Sequence, residues 1–146
     1  MNNFLASYNK QPVLVVLPHG DDELFVTTLI WSLITTGCKV RIVVLTQGEG
    51  TLTGAAGEER AYTRLEEFKA SCAILGVEDY GVWSLPDGKI NTYSKNQLLK
   101  ELGTEIRSLN PGLVVTFGAD GITHHIDHQV THHVVMEAVR SYSPPG

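Results

Sequence analysis

Val13-Leu14-Val15-Val16-Leu17-Pro18-His19-Gly20-Asp21-Asp22-Glu23 is the stretch that decides the fold. Five consecutive apolar, mostly β-branched residues predict a short strand buried on both faces, as in a parallel sheet. The run stops at once on titratable side chains. Apolar residues then return at Leu24, Phe25, Leu29, Trp31 and Leu33 with helical spacing, which predicts a helix over 22–36 stopped by Gly37.

Working outward, the same alternation repeats. A second buried strand is expected over 40–45, then a Gly-rich loop over 47–57. A helix over 58–75 follows, with Tyr62, Leu65, Phe68, Cys72 and Leu75 on its inner face and Gly76 as its stop. The third strand is expected over 80–85, closed by the turn Pro86-Asp87-Gly88. Leu98, Leu99, Leu102, Ile106 and Leu109 mark a third helix, ended by Asn110-Pro111-Gly112. A fourth strand over 113–117 and a fourth helix over 127–142 complete the series. Strand and helix alternating without a linker predict one α/β domain over 1–146, its sheet mainly parallel and its helices on both faces.

Composition narrows the classes. The 146 residues carry a formal charge of −5 and show no basic stripe, which argues against a nucleic-acid partner. The longest apolar runs are about five residues, far short of the ~20 needed to span a bilayer. Met1-Asn2-Asn3-Phe4-Leu5 has no basic stretch leading into an apolar one, so no signal peptide is expected. Cys38 and Cys72 lack metal-type spacing and read as reduced, small apolar side chains. A soluble, cytoplasmic protein is the expectation.

Chemistry concentrates in two segments, each just past a strand: residues 18–23 and residues 123–128. In open α/β sheets, ligands bind beyond the carboxyl ends of the strands where strand order reverses. A strand order of 3-2-1-4 would bring both segments to one crevice. His19 and Asp22, three apart at a strand-to-helix turn, suit one metal centre, and His128 can supply a third ligand. Two nitrogens and one carboxylate fit zinc and also accommodate iron(II). Asp21, beside a ligand, is left to take a proton from a metal-activated water, while Glu23 complements the helix N-terminus. His125 can stabilise an oxyanion or donate to a leaving amine, and Asp127 can hydrogen-bond an imidazole and fix its orientation. The bland counterparts are a helix start decorated with acids and histidines that are merely solvated, as expected of His132 and His133; His128 and His132 nonetheless share an i, i+4 face that could chelate.

His19-Gly20-Asp21-Asp22-Glu23 and His125-Ile126-Asp127-His128 resemble the H-P-D-D-E and H-P-D-H motifs of the LmbE-like, or PIG-L, family of zinc-dependent deacetylases. Thr46-Gln47-Gly48-Glu49, Arg64-x-x-Glu67, Leu75-Gly76-Val77 and Asp87-Gly88 extend the resemblance over roughly 13–139. It implies a Rossmann-like fold and removal of an N-acetyl group from an N-acetylglucosamine-type compound. It further implies metal ligation by His19, Asp22 and His128, Asp21 as general base, His125 as acid or electrophilic partner supported by Asp127, and sugar contacts from Arg64 and Asp87. Gly20 and Ile126 replace the usual prolines, and neither change removes a donor atom. Family members commonly continue well past the second motif, whereas eighteen residues follow His128 here, ending in Ser143-Pro144-Pro145-Gly146. The expectation is a minimal member completed by a second copy, or a truncated one with poor turnover.

The rival from another class is a nucleotide- or sugar-binding module without hydrolytic chemistry. Gly48-Glu49-Gly50 and Gly54 support it, but they follow the second strand and match the dinucleotide fingerprint poorly. The loop is better read as a mobile rim over the metal site.

Overall fold

All five residues of β1 (Val13–Leu17) are at 0% exposure, because this strand lies inside the sheet and is covered on both faces. The computed structural model describes residues 10–50 and 52–142, so the first and last residues discussed above fall outside the described part. Its four strands, β1, β2 (Val40–Thr46), β3 (Asp79–Leu85) and β4 (Leu113–Val115), run in the order β3-β2-β1-β4 and pair in parallel throughout. Sequence order therefore reverses between β1 and its two neighbours, β2 and β4. The crevice expected from the two motifs opens there.

Alternation along β1 splits the core in two. Val13, Val15 and Leu17 pack with Ile30 and Leu33 of α1 (Thr27–Thr35) and with Phe68 and Cys72 of α2 (Gly54–Leu75). Leu14 and Val16 face the other way, onto Leu98 and Leu102 of α3 (Lys95–Leu109) and Val134 and Ala138 of α4 (Ile126–Tyr142). Helices thus cover both faces of an all-parallel sheet, which is why its central strands read as continuous apolar runs. Cys38 and Cys72 are both buried and free, and burial pushes the Cys72 thiol up to about 12. No helix among the described residues is long and apolar enough to cross a membrane.

Several expected boundaries move, for physical reasons. The helix expected over 22–36 begins as a 3-10 turn, Asp22–Val26, before α1. At three residues per turn instead of 3.6, five residues shift the helical phase by about 100°. Leu24, Phe25 and Trp31 accordingly point outward at 70%, 52% and 57% exposure, while Leu33 fills the core as expected and Ile30 joins it there. α2 starts at Gly54, four residues early, because Gly57 lies where any Cβ would meet the Leu52 carbonyl oxygen at 2.7 Å. Tyr62, expected on the inner face of α2, is exposed. β4 ends at Val115, and Phe117 leaves the ladder to pack under the site.

Candidate metal centre

His19, in the turn after β1, meets a different set of carboxylates at each ring nitrogen. Nδ1 lies 3.1 Å from Asp22 Oδ2, while the His19 backbone N–H donates to the same oxygen at 3.0 Å. Nε2 lies 3.1 Å from Asp87 Oδ1 and 3.3 Å from Asp127 Oδ2. The second oxygen of Asp22 is 3.3 Å from His128 Nε2. Asp22 and His128 are both buried, so the carboxylate sits between two imidazoles out of bulk water.

α4 carries His128 and Asp127 to the site. His128 Nδ1 is 2.9 Å from the Gly121 carbonyl, which can only accept, so Nδ1 carries the proton and Nε2 is a free donor atom for an ion. Phe117 stacks on the imidazole at 4.2 Å and 8° between planes, and Phe25 packs edge-on against Phe117. Gly121 is required: its φ is +66°, and a Cβ there would lie 2.8 Å from His128 Cβ. Gly121→Ala should lower stability by about 1–3 kcal/mol through backbone strain. It should also weaken metal binding, which thermal melts with and without chelator will separate.

Asp127 is 0% exposed, and its carboxylate serves His19 rather than His125. It also accepts from the Gly88 N–H at 2.7 Å and the Ile90 N–H at 3.0 Å, tying the turn after β3 to α4. His125 is reached only through the backbone, the Asp127 N–H donating to His125 Nδ1 at 3.2 Å. The expected carboxylate support for His125 is not what these contacts show: the Asp127 carboxylate meets His19 instead. His125 is exposed, with its ring 5.2 Å from His19 and 5.1 Å from His128.

Two sets of donor atoms lie within 4.8 Å of one another and could hold an ion: His19, Asp22 and His128, or His19, His125 and Asp127. The first fits better. Both Asp127 oxygens are already committed to backbone N–H groups, whereas His128 Nε2 and Asp22 Oδ1 face each other at 3.3 Å.

Electrostatics at the site is dominated by the acids. Burial disfavours a charged His19, but its hydrogen bonds to the Asp127, Asp22 and Asp87 carboxylates outweigh it and raise the imidazole to about 11. Reciprocally, His19 holds Asp87 below the usual carboxylate range; Asp127, which burial would raise, is also held low by His19 and by the Ile90 and Gly88 N–H groups. In the metal-free protein the stabilisation from His19 is complete below its ordinary 6.5 and is lost only as pH rises through about 11. The stabilisation from the two acids is present above their ordinary 3.8 and is lost as pH falls below it. Between these limits an ion held by His19 would compete with a proton there. Calorimetry in buffers of different ionisation enthalpy should show about one proton released per ion, with affinity falling as pH falls.

Around this centre is a cleft of about 300 Å³, with Asp21, Arg60, Arg64, Asp87 and His125 on its walls. Asp21 is exposed, and Arg64 Nη2 lies 3.8 Å from its carboxylate while Nη1 donates to Glu67 at 2.9 Å. All eight residues singled out from sequence thus converge here. Arg60 was missed, although it stands one turn before Arg64 on α2; its Nε donates to the Gly48 carbonyl at 3.3 Å. Gly48, at φ +75°, passes so close to Arg64 that a Cβ would lie 3.0 Å from Arg64 Cγ. The Gly-rich rim is tied to the turn after β3 at one point, the Gly50 N–H donating to Asp87 at 2.9 Å. Glu23 stands in the first helical turn, as expected of an acid that complements a helix N-terminus, but it is buried at 2% exposure, and burial raises its carboxyl. His132 is not merely solvated: its Nδ1 lies 2.7 Å from the Phe117 carbonyl, and the donor sets that could hold an ion among the described residues do not include it.

A sequence profile described as GlcNAc-PI de-N-acetylase, PIG-L, matches residues 14–139. The chain belongs to the PIG-L family. Among curated PIG-L relatives, it is 31% identical over 137 residues to a probable N-acetyl-alpha-D-glucosaminyl L-malate deacetylase 2 of Bacillus anthracis, covering 90% of this chain and 60% of that protein. It is 38% identical over 111 residues to diacetylchitobiose deacetylase of Thermococcus kodakarensis, covering 70% and 39%. The crystal structure of N,N'-diacetylchitobiose deacetylase from Pyrococcus horikoshii, with its inhibitor, superposes with a TM-score of 0.80 at 28% identity, covering 90% of this chain and 50% of that one. The chain therefore spans only about 40–60% of the length of these PIG-L relatives.

Proposed function

We propose that this chain is a metal-dependent amide hydrolase that removes the N-acetyl group from a glucosamine-type substrate. The observation that carries the reading is the His19–Asp22–His128 donor set, its last two members buried, in a cleft walled by Asp21 and His125. Relatives named as deacetylases of N-acetylglucosaminyl malate and diacetylchitobiose support the substrate class. His19, Asp22 and His128 would hold the ion, zinc by the character of the donors, with iron(II) accommodated by the same set. When bound, such an ion polarises an amide carbonyl and lowers the pKa of a water to about 7.

The remaining roles belong to the side chains. Asp21 accepts the proton that the attacking water loses, and Arg64, 3.8 Å from it, keeps the carboxylate turned along the cleft wall. His125, exposed on the opposite side, donates a proton to the departing amine, which leaves as the free amino sugar with acetate as the second product. Arg64 and Asp87 stand where sugar hydroxyls would be read. A cleft of about 300 Å³ is at the low end of ligand pockets, roughly 300–1,000 Å³, and suits one sugar ring. The two buried thiols fit a reducing cytoplasm.

The test is acetate release by the zinc-loaded full chain from N-acetylglucosamine, diacetylchitobiose and N-acetylglucosaminyl malate. Acetate and free amine should appear in equal amounts. Protein that holds one ion per chain and releases acetate from none of them would overturn the reading.

A further inference from the structure

The roles above leave Glu49 without a task and give Asp87 only to the sugar. Their contacts say more. The two oxygens of Asp87 face opposite ways: Oδ1 lies 3.1 Å from His19 Nε2, and Oδ2 accepts from the Gly50 N–H at 2.9 Å. The Asp87 N–H in turn donates to Glu49 Oε1 at 3.0 Å. This reciprocal pair locks the turn after β3 to the loop after β2 and leaves Asp87 Oδ1 a single direction, toward the imidazole.

An imidazole on a turn residue can rotate about two bonds, yet a ligand must be held within about 0.5 Å of its working position. Carboxylates on the outer nitrogen of a metal-site histidine supply that restraint. Here the outer nitrogen is Nε2, because Nδ1 is the atom on the side of Asp22 and His128. We propose that Asp87 and Glu49 are positioning residues for His19: Asp87 fixes the ring with Nδ1 toward Asp22, and Glu49 fixes Asp87. The inference rests on His19 being a metal ligand. It gives Thr46-Gln47-Gly48-Glu49 and Asp87-Gly88 one shared task. Asp127 is the second carboxylate on Nε2 and is anchored to the same turn through Gly88 and Ile90, so loss of Asp87 weakens the restraint without abolishing it.

Zinc affinity, measured by chelator competition on the full chain without substrate, tests this. Asp87→Ala and Glu49→Ala should each bind zinc about tenfold more weakly, at the lower end of outer-partner effects. Glu49→Gln should bind like the wild type, because its amide oxygen still accepts the Asp87 N–H. Wild-type zinc affinity in Asp87→Ala, with only KM raised, would make Asp87 a sugar contact and overturn the proposal. A wild type that binds no zinc would overturn it as well. Should Glu49→Ala fail to fold, Asp87→Ala decides alone, since its side chain lies on the cleft wall. Because affinity is read without turnover, absence of acetate release from the wild type would sink the deacetylase reading and leave this one standing. Equal affinities in all variants would do the reverse.

Discussion

His128→Ala should lose the bound ion and, with it, on the order of 10³-fold or more of the acetate-release rate, since the activated water goes with the metal. Truncation removes the free Nε2 donor that faces Asp22 at 3.3 Å and leaves a carboxylate 4% exposed with only His19 beside it. It also strips the imidazole from the Phe117 ring and leaves the Gly121 carbonyl only the longer contact from Thr123 Oγ1 at 3.5 Å. Metal analysis of the purified variant, followed by assays with added zinc, checks both parts. The measurement also separates the two candidate ligand sets. If His19, His125 and Asp127 held the ion, His128→Ala would retain it.

Asp21→Asn should lower kcat by about 10²–10⁴-fold while leaving one ion per chain, the range typical of a lost general base. Asparagine keeps the size of the side chain and its reach toward Arg64, but it cannot take a proton at neutral pH. Asp21 is exposed and touches none of the three proposed ligands through its carboxylate, so neither metal content nor thermal stability should change. Unchanged turnover in Asp21→Asn would remove Asp21 from the reaction. Loss of metal together with activity would make it a ligand instead. For the wild type, the pH–rate profile should be bell-shaped, one limb reporting the base and the other the acid.

Both expectations rest on residues visible in the chain before any coordinates, and the reason is local. His19, Asp21 and Asp22 fall within one turn after a strand, and His125 and His128 within one turn at the start of a helix. Short spacing in a known secondary structure fixes which side chains can point together. The partners of Asp127 were not legible in the same way. A carboxylate between two histidines in sequence suggests an imidazole partner nearby, but its oxygens go to His19 and to the backbone at Gly88 and Ile90. These contacts cross between elements far apart in the chain, and no periodicity encodes them. The burial of Glu23 was illegible for a related reason: an acid at a helix start suits the dipole whether exposed or not, and only packing against α2 buries it.

The sequence by itself determined the alternation of strand and helix, the all-apolar character of the central strands and the two motifs at strand ends, because each depends on residues within a few positions of one another. Tertiary structure alone decided how those pieces meet. The β3-β2-β1-β4 order sets the two motifs on either side of one switch point. The 3-10 turn at Asp22–Val26 rotates the apolar face of α1, and the turn after β3 brings Asp87 to His19. Spacing along a chain fixes local direction, whereas which elements become neighbours depends on burying both faces of the sheet at once.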